Sequence, residues 1–124
     1  MGKFVIKKTN TGYNFHLKAG NGQTIATGEV YKELDTCHNG VQSVINNAAV
    51  AGVEDQTVLN FEELKHPKFE LYKDKSEQFR FRLKARNGEV IAVSEAYTTK
   101  ANCKNGINSV IKNVEGAQVI EELE

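Results

Sequence analysis

The chain has 124 residues, 40% of them hydrophobic and 26% charged, a globular composition with enough apolar material for a real core. Lys plus Arg and Asp plus Glu balance at 16 each, so no whole-molecule field points to nucleic acid or an acidic membrane surface. No charged start leads into an apolar run and no stretch approaches the roughly 18 apolar residues of a membrane helix, so a cytoplasmic protein without signal peptide or membrane contact is expected.

Lys3 to Lys8 alternates, with Phe4 and Ile6 on one side and Val5 and Lys7 on the other, the period of a half-buried strand. After a polar turn, Tyr13, Phe15, Leu17 and Ala19 share one face of a second strand. Asn21-Gly22, read as a two-residue turn with positive φ, returns the chain as a third strand from Thr24. From about Asp35 to Ala48 the period becomes helical: Cys37, Val41, Val44, Ile45 and Ala48 make one stripe. Gly52 and Glu54-Asp55 read as a break, and Thr57 to Phe61 as a fourth strand. Glu62 to Pro67 reads as a short linker.

The pattern then repeats. Lys68-Phe69-Glu70-Leu71 restates the opening, Phe79, Phe81, Leu83 and Ala85 form an inward face, and Asn87-Gly88 turns. Thr98 or Thr99 caps a second helix with the stripe Cys103, Ile107, Val110, Ile111 and Val114, Gly116 stops it, and Ala117 to Ile120 closes as a strand. Positions 14–47 and 80–113, 66 apart, share 17 identities in 34, too many for chance. The unit is β-β-β-α-β written twice, about 1–63 and about 67–124. A half of this size is marginal alone, so the two are expected to share one sheet and one core as a single domain, a pseudo-dimer in one chain that is a monomer.

Cys37 and Cys103 stand near helix starts, where a thiol can be activated, but each also begins an apolar stripe; reduced, buried core side chains are expected. Asn39-Gly40 and Asn105-Gly106 place glycine inside helices at a cost of about 1 kcal/mol, which close approach of the sheet or of the twin helix would justify. Ser43 and Ser109 extend a polar seam that would meet where the helices pair. His16, His38 and His66 fall on a strand, a helix and a linker, so no metal is expected. No phosphate loop, nucleophile elbow or paired acids suggest an enzyme or a cofactor.

Arg80, Arg82, Lys84 and Arg86 form an outward row, with Tyr72 on the neighbouring strand as a stacking partner for a base. Counting from a two-residue turn, Arg86 would face Glu89, Arg80 would face Glu95, Lys84 would lie beside Ile91 and Arg82 beside Val93. Ion pairs across the hairpin would then neutralise half the row and leave a mixed surface suited to a protein partner.

Phe81-Arg-Leu-Lys-Ala-Arg-Asn-Gly-Glu, Ser94-Glu-Ala-Tyr97 and Cys103-Lys-Asn-Gly-Ile-Asn-Ser-Val110, with their twins from Phe15, Gly28 and Cys37, closely resemble the bacterial YegP-like family, DUF1508 or UPF0339, over nearly the whole chain. The resemblance implies an α+β fold of tandem units merged into a single antiparallel sheet, both helices on one face and the last strands exchanged between units. It carries no catalytic residue. A non-catalytic binding or accessory module is therefore expected, using the exposed sheet face for a protein partner; the alternative is weak binding of RNA or single-stranded DNA through the basic row.

Overall fold

The computed structural model describes residues 2–124. Three strands, β1 (Lys3–Lys8), β2 (Tyr13–Lys18) and β3 (Thr24–Thr27), lead into helix α1 (Leu34–Ala48) and strand β4 (Gly52–Asp55). The second copy runs β5 (Lys68–Lys73), β6 (Phe79–Lys84), β7 (Val90–Val93), α2 (Lys100–Val114) and β8 (Gln118–Glu122). All eight strands form one sheet in the order β4-β5-β6-β7-β3-β2-β1-β8. The two copies meet at β3 and β7, where Thr27 faces Val93.

The last strands are exchanged. β4 leaves the first copy to pair with β5 of the second, and β8 leaves the second to pair with β1 of the first. Both exchanged pairs are parallel, while the six central strands are antiparallel, so the sheet is mixed rather than wholly antiparallel. The reason is the connection. A hairpin forces antiparallel pairing, whereas β4 and β8 arrive through helices and are free of that constraint. A side-chain contact holds each exchanged strand to a helix of the repeat it visits: an ion pair from Asp55 of β4 to Lys100 of α2 at 2.6 Å, and a hydrogen bond between Glu121 of β8 and His38 of α1 at 2.6 Å.

The fourth strand does not lie at Thr57–Phe61. Asp55 Oδ1 accepts from Thr57 N at 2.9 Å, Asn60 takes a positive φ of 58°, and the segment becomes a turn exposing Val58, Leu59 and Phe61. Short polar side chains that bond the backbone two residues on favour turns over ladders. The linker is accordingly longer than Glu62–Pro67 and starts at Gln56.

The alternation of the strands puts Phe4, Ile6, Phe15, Leu17, Phe69, Leu71, Phe81 and Leu83 under the helices, where they meet the two helical stripes in a single buried cluster. Each helix touches strands of both copies. Phe15 and Phe81 occupy twin positions, each edge-on to Phe4 or Phe69 and stacked on Tyr31 or Tyr97. Those tyrosines explain the helical glycines. A Cβ on Gly40 would strike the Tyr31 hydroxyl, and one on Gly106 that of Tyr97, so neither the sheet backbone nor the twin helix is what demands them. Ser43 and Ser109 accept from Asn47 and Asn113 of their own helices, at 3.1 Å each, so the seam is closed within each helix. Thr99 caps α2 by accepting from Asn102 N at 3.1 Å, whereas Glu33, at the same place before α1, makes no side-chain cap.

Candidate functional site

The sheet face turned away from the helices carries the residues singled out by charge. Its central row crosses every strand: Glu54, Glu70, Arg82, Val93, Thr27, His16, Val5 and Ile120 are successive cross-strand neighbours. The first four come from the β4–β7 half, the last four from the other.

Arg80, Arg82 and Lys84 point out of this face, as the alternation requires, and each is held by a carboxylate of its own chain. Arg80 Nε is 2.8 Å from Asp74 Oδ2, Arg82 Nε is 2.6 Å from Glu70 Oε1, and Lys84 Nζ is 3.5 Å from Glu70 Oε2. Arg82 also lies over the Tyr72 ring, 4.4 Å from its centroid, so that ring is already covered by a cation. Arg86 is exposed at the hairpin end and forms no ion pair among the described residues.

Neutralisation of the row therefore holds, with different acids. Glu89 does not face Arg86, because the hairpin loop has three residues rather than two, and Glu95 does not partner Arg80, because β7 ends at Val93 and Arg80 turns to Asp74. Ala85 and Glu89 close it through Ala85 N to Glu89 O at 2.9 Å, and of Asn87 and Gly88 only the glycine has a positive φ, 84°. Asn87 instead accepts from Glu89 N at 3.0 Å, and Asn21 does the same for Gln23 N. This is a type I turn closed by a glycine bulge. The bulge shifts Lys84 opposite Val90 and turns Ile91 inward, while Arg82 does lie beside Val93.

At the β4 end the face is closed. Glu54, Lys68 and Glu70 are 1%, 4% and 3% exposed although all three point away from the helices. The linker crosses there: Leu64 N donates to Glu54 Oε1 at 2.7 Å, and the Leu64 side chain lies over Gly52. Lys68 Nζ reaches Glu54 Oε1 at 2.7 Å and Glu70 Oε2 at 3.3 Å. Burial alone would raise the Glu54 carboxyl, but hydrogen bonds from Lys68, Gln56 and Leu64 outweigh it and bring its pKa down to about 2. Burial would likewise lower Lys68, and its bonds to Glu54 and Glu70 lift it instead. These groups were not singled out by sequence pattern, since Glu54 resembled a chain break and its partner Lys68 belongs to the other repeat.

The histidines are scattered. His16 is on the outer face within 3.3 Å of Thr27 Oγ1, His38 binds Glu121, and His66 lies near Gly88. Cys37 and Cys103 are fully buried, and burial pushes the Cys103 thiol up to about 11 and raises Cys37 in the same direction. Asn105, Gly106 and Ser109 line a shallow cleft of about 280 Å³ with Tyr97 and the Gln23–Ile25 hairpin end; it holds no charged side chain. No helix is long and apolar enough to cross a membrane among the described residues.

A domain of unknown function, DUF1508, matches twice, over residues 9–55 and 74–121. The UPF0339 protein YegP of Yersinia pestis is 41% identical over 114 residues, covering 91% of this chain and 88% of that protein. A UPF0339 protein of Treponema denticola is 68% identical over 54 residues, 44% of this chain and 93% of its own length, so it corresponds to a single repeat. The solution structure of yegP from E. coli, titled a protein of unknown function, superposes with a TM-score of 0.80 at 29% identity, covering 98% of this chain and 93% of that one. A UPF0339 protein of Shewanella oneidensis gives the same score at 28% identity, with 98% and 92% covered. With the family domain matched in both halves and a full-length relative above 40% identity, the chain belongs to the YegP-like UPF0339 (DUF1508) family.

Proposed function

We propose that the chain is a non-catalytic binding or accessory module that engages a protein partner through the outer sheet face. The observation that carries this reading is the state of the basic row: Arg80, Arg82 and Lys84 are each held by Asp74 or Glu70, and Tyr72 lies under Arg82. Strand-backbone phosphates need cations free to exchange counterions and rings free to stack, so the row suits nucleic acid poorly. What stays accessible at the centre of the face is Val93, 41% exposed, beside Thr27 and between Arg82 and His16, a mixed apolar and charged surface of the kind protein interfaces use. The buried thiols, with pKa values raised by burial, support the non-catalytic part.

The test is photocrosslinking in cell lysate from a benzoylphenylalanine placed at Val93 or, as control, at Lys112 on α2. A discrete protein adduct from Val93, absent from Lys112 and weakened by Arg82→Glu, is the expected result. Adducts from Lys112 alone would sink the reading, and salt-sensitive capture of single-stranded RNA lost in Arg82→Glu would replace it with the nucleic-acid alternative.

A further inference from the structure

The duplicated architecture lets one half of the outer face serve as the control for the other. Lys68 and Lys84 lie directly opposite each other across β5 and β6, and Lys3 and Lys18 directly opposite across β1 and β2. Like charges so placed repel, and a carboxylate set beside them relieves the repulsion. The second copy has it: Glu54 and Glu70 stand beside the lysines and accept from them at 2.7, 3.3 and 3.5 Å. In the first copy the same two places in the cross-strand row belong to Ile120 and Val5. Neither Lys3 nor Lys18 forms an ion pair among the described residues. Lys3 is exposed and Lys18 half-buried, whereas Lys68 lies under the linker. His16, next along the face, has its pKa lowered first by burial and then by the nearby Lys7 and Lys18. Lys7, on the same face, stands across from Glu122 on β8 and opposite Asn14 on β2, so Lys3 and Lys18 are where two lysines of this half face each other directly.

We propose that Lys3 and Lys18 form a docking point for paired carboxylates of an acidic protein segment, supplying in trans what Glu54 and Glu70 supply in cis at the twin site. The proposal rests on the sheet face being the binding face and adds the chemistry of its partner. Carboxylate is favoured over phosphate because the twin pair is satisfied by carboxylates. The next row of the face is apolar: Val5 is enclosed, at 1% exposed, and Ile120 beside it is half-buried, so Ile120 is the side chain that a segment whose acids alternate with apolar residues would meet. A polyanion would need a continuing basic track, and Arg80, Arg82 and Lys84 of the face are already engaged.

The full chain is titrated with the peptide acetyl-Glu-Val-Glu-Thr-Glu-Val-amide while backbone amide shifts are followed by NMR. Comparators are its all-Gln counterpart, inorganic phosphate and a thymidine oligonucleotide of about twelve nucleotides. Saturable shifts confined to Lys3, Val5, His16, Lys18 and Ile120 are expected, with affinity reduced about tenfold or more in Lys3→Gln/Lys18→Gln and unchanged in Lys8→Gln. Both variants alter solvent-facing side chains, and the amide spectrum verifies that they fold. Val5→Glu/Ile120→Glu, which copies the twin site's acids, should also abolish binding. No saturable shift at about 1 mM peptide, undiminished affinity in the double Gln variant, or tighter binding of the oligonucleotide or of phosphate than of the peptide would overturn the proposal. Crosslinking from Val93 that persists alongside any of those results would remove this docking point and leave the face reading standing.

Discussion

Lys68 and Glu54 meet across the junction of the two repeats, Nζ to Oε1 at 2.7 Å, with both side chains almost wholly buried. Glu54 belongs to the first repeat and Lys68 to the second, so the pair exists only because β4 is exchanged. It is also asymmetric: at the twin position β8 sets Ile120 beside Val5, and no buried ion pair of this kind holds that exchanged strand among the described residues.

Removing one partner should therefore cost far more than removing both. Glu54→Ala leaves Lys68 half-paired and Leu64 N without its acceptor, and is expected to lose about 3–5 kcal/mol by urea unfolding. Glu54→Leu combined with Lys68→Met should recover most of that loss. A double variant as unstable as Glu54→Ala alone would show that the pair is not what the site depends on.

The same carboxylate sets an acid limit. Its pKa is lowered from 4.5 to about 2 in the folded chain, so its contribution is complete above pH 4.5 and is lost as pH falls toward 2. The urea midpoint should be flat from pH 7 to about 5 and then drop, by an amount on the order of 3 kcal/mol from this group. Glu70 and Asp55 are shifted the same way and steepen the fall. Lys68 is raised above 10.5, so its contribution is intact below that pH and lost only on the alkaline side. A midpoint independent of pH between 5 and 2 contradicts this account.

Gly106→Ala replaces a poor helix former with the best one, which in an exposed helix would stabilise by about 1 kcal/mol. Here the added methyl meets the Tyr97 ring end, and a net loss of about 1–3 kcal/mol is expected. In a Tyr97→Ala background the same substitution should turn neutral or favourable, a coupling that thermal or urea unfolding of the four chains would measure.

Both cysteines should resist alkylation in the native chain and react rapidly once urea unfolds it, since each is fully buried with a raised pKa. Rapid labelling of Cys103 in the folded chain, with far-ultraviolet circular dichroism unchanged, would reopen a thiol-dependent role.

The period-2 alternation made the inward faces and the outward basic row readable from sequence, because every strand face is decided residue by residue. The partners of that row were not readable from the hairpin alone. Glu70 and Asp74 reach it from the neighbouring strand and its turn, and the extra loop residue that moves Lys84 from Ile91 to Val90 hides behind an Asn-Gly pair that serves two- and three-residue loops alike. The position of β4 had left a trace. Setting Ala117–Ile120 back by 66 residues lands on Ala51–Glu54, but Gly52 and the acids beside it carry the letters of a break, and only a lysine fourteen residues on makes a buried glutamate tenable there. The uncompensated Lys3 and Lys18 come from different strands, and their significance appears only once the twin pair is seen to be answered by acids.

The duplication also changes what mutation can do to the outer face. A one-repeat chain completing this sheet with a second copy would carry every outward residue twice, so a glutamate at the place of Glu70 would entail one at the place of Val5. Joining the repeats frees the two places to differ, and here they have diverged to a buried acid and a buried valine. Half of the face has become a self-satisfied anchor, while its counterpart carries an acid at neither place.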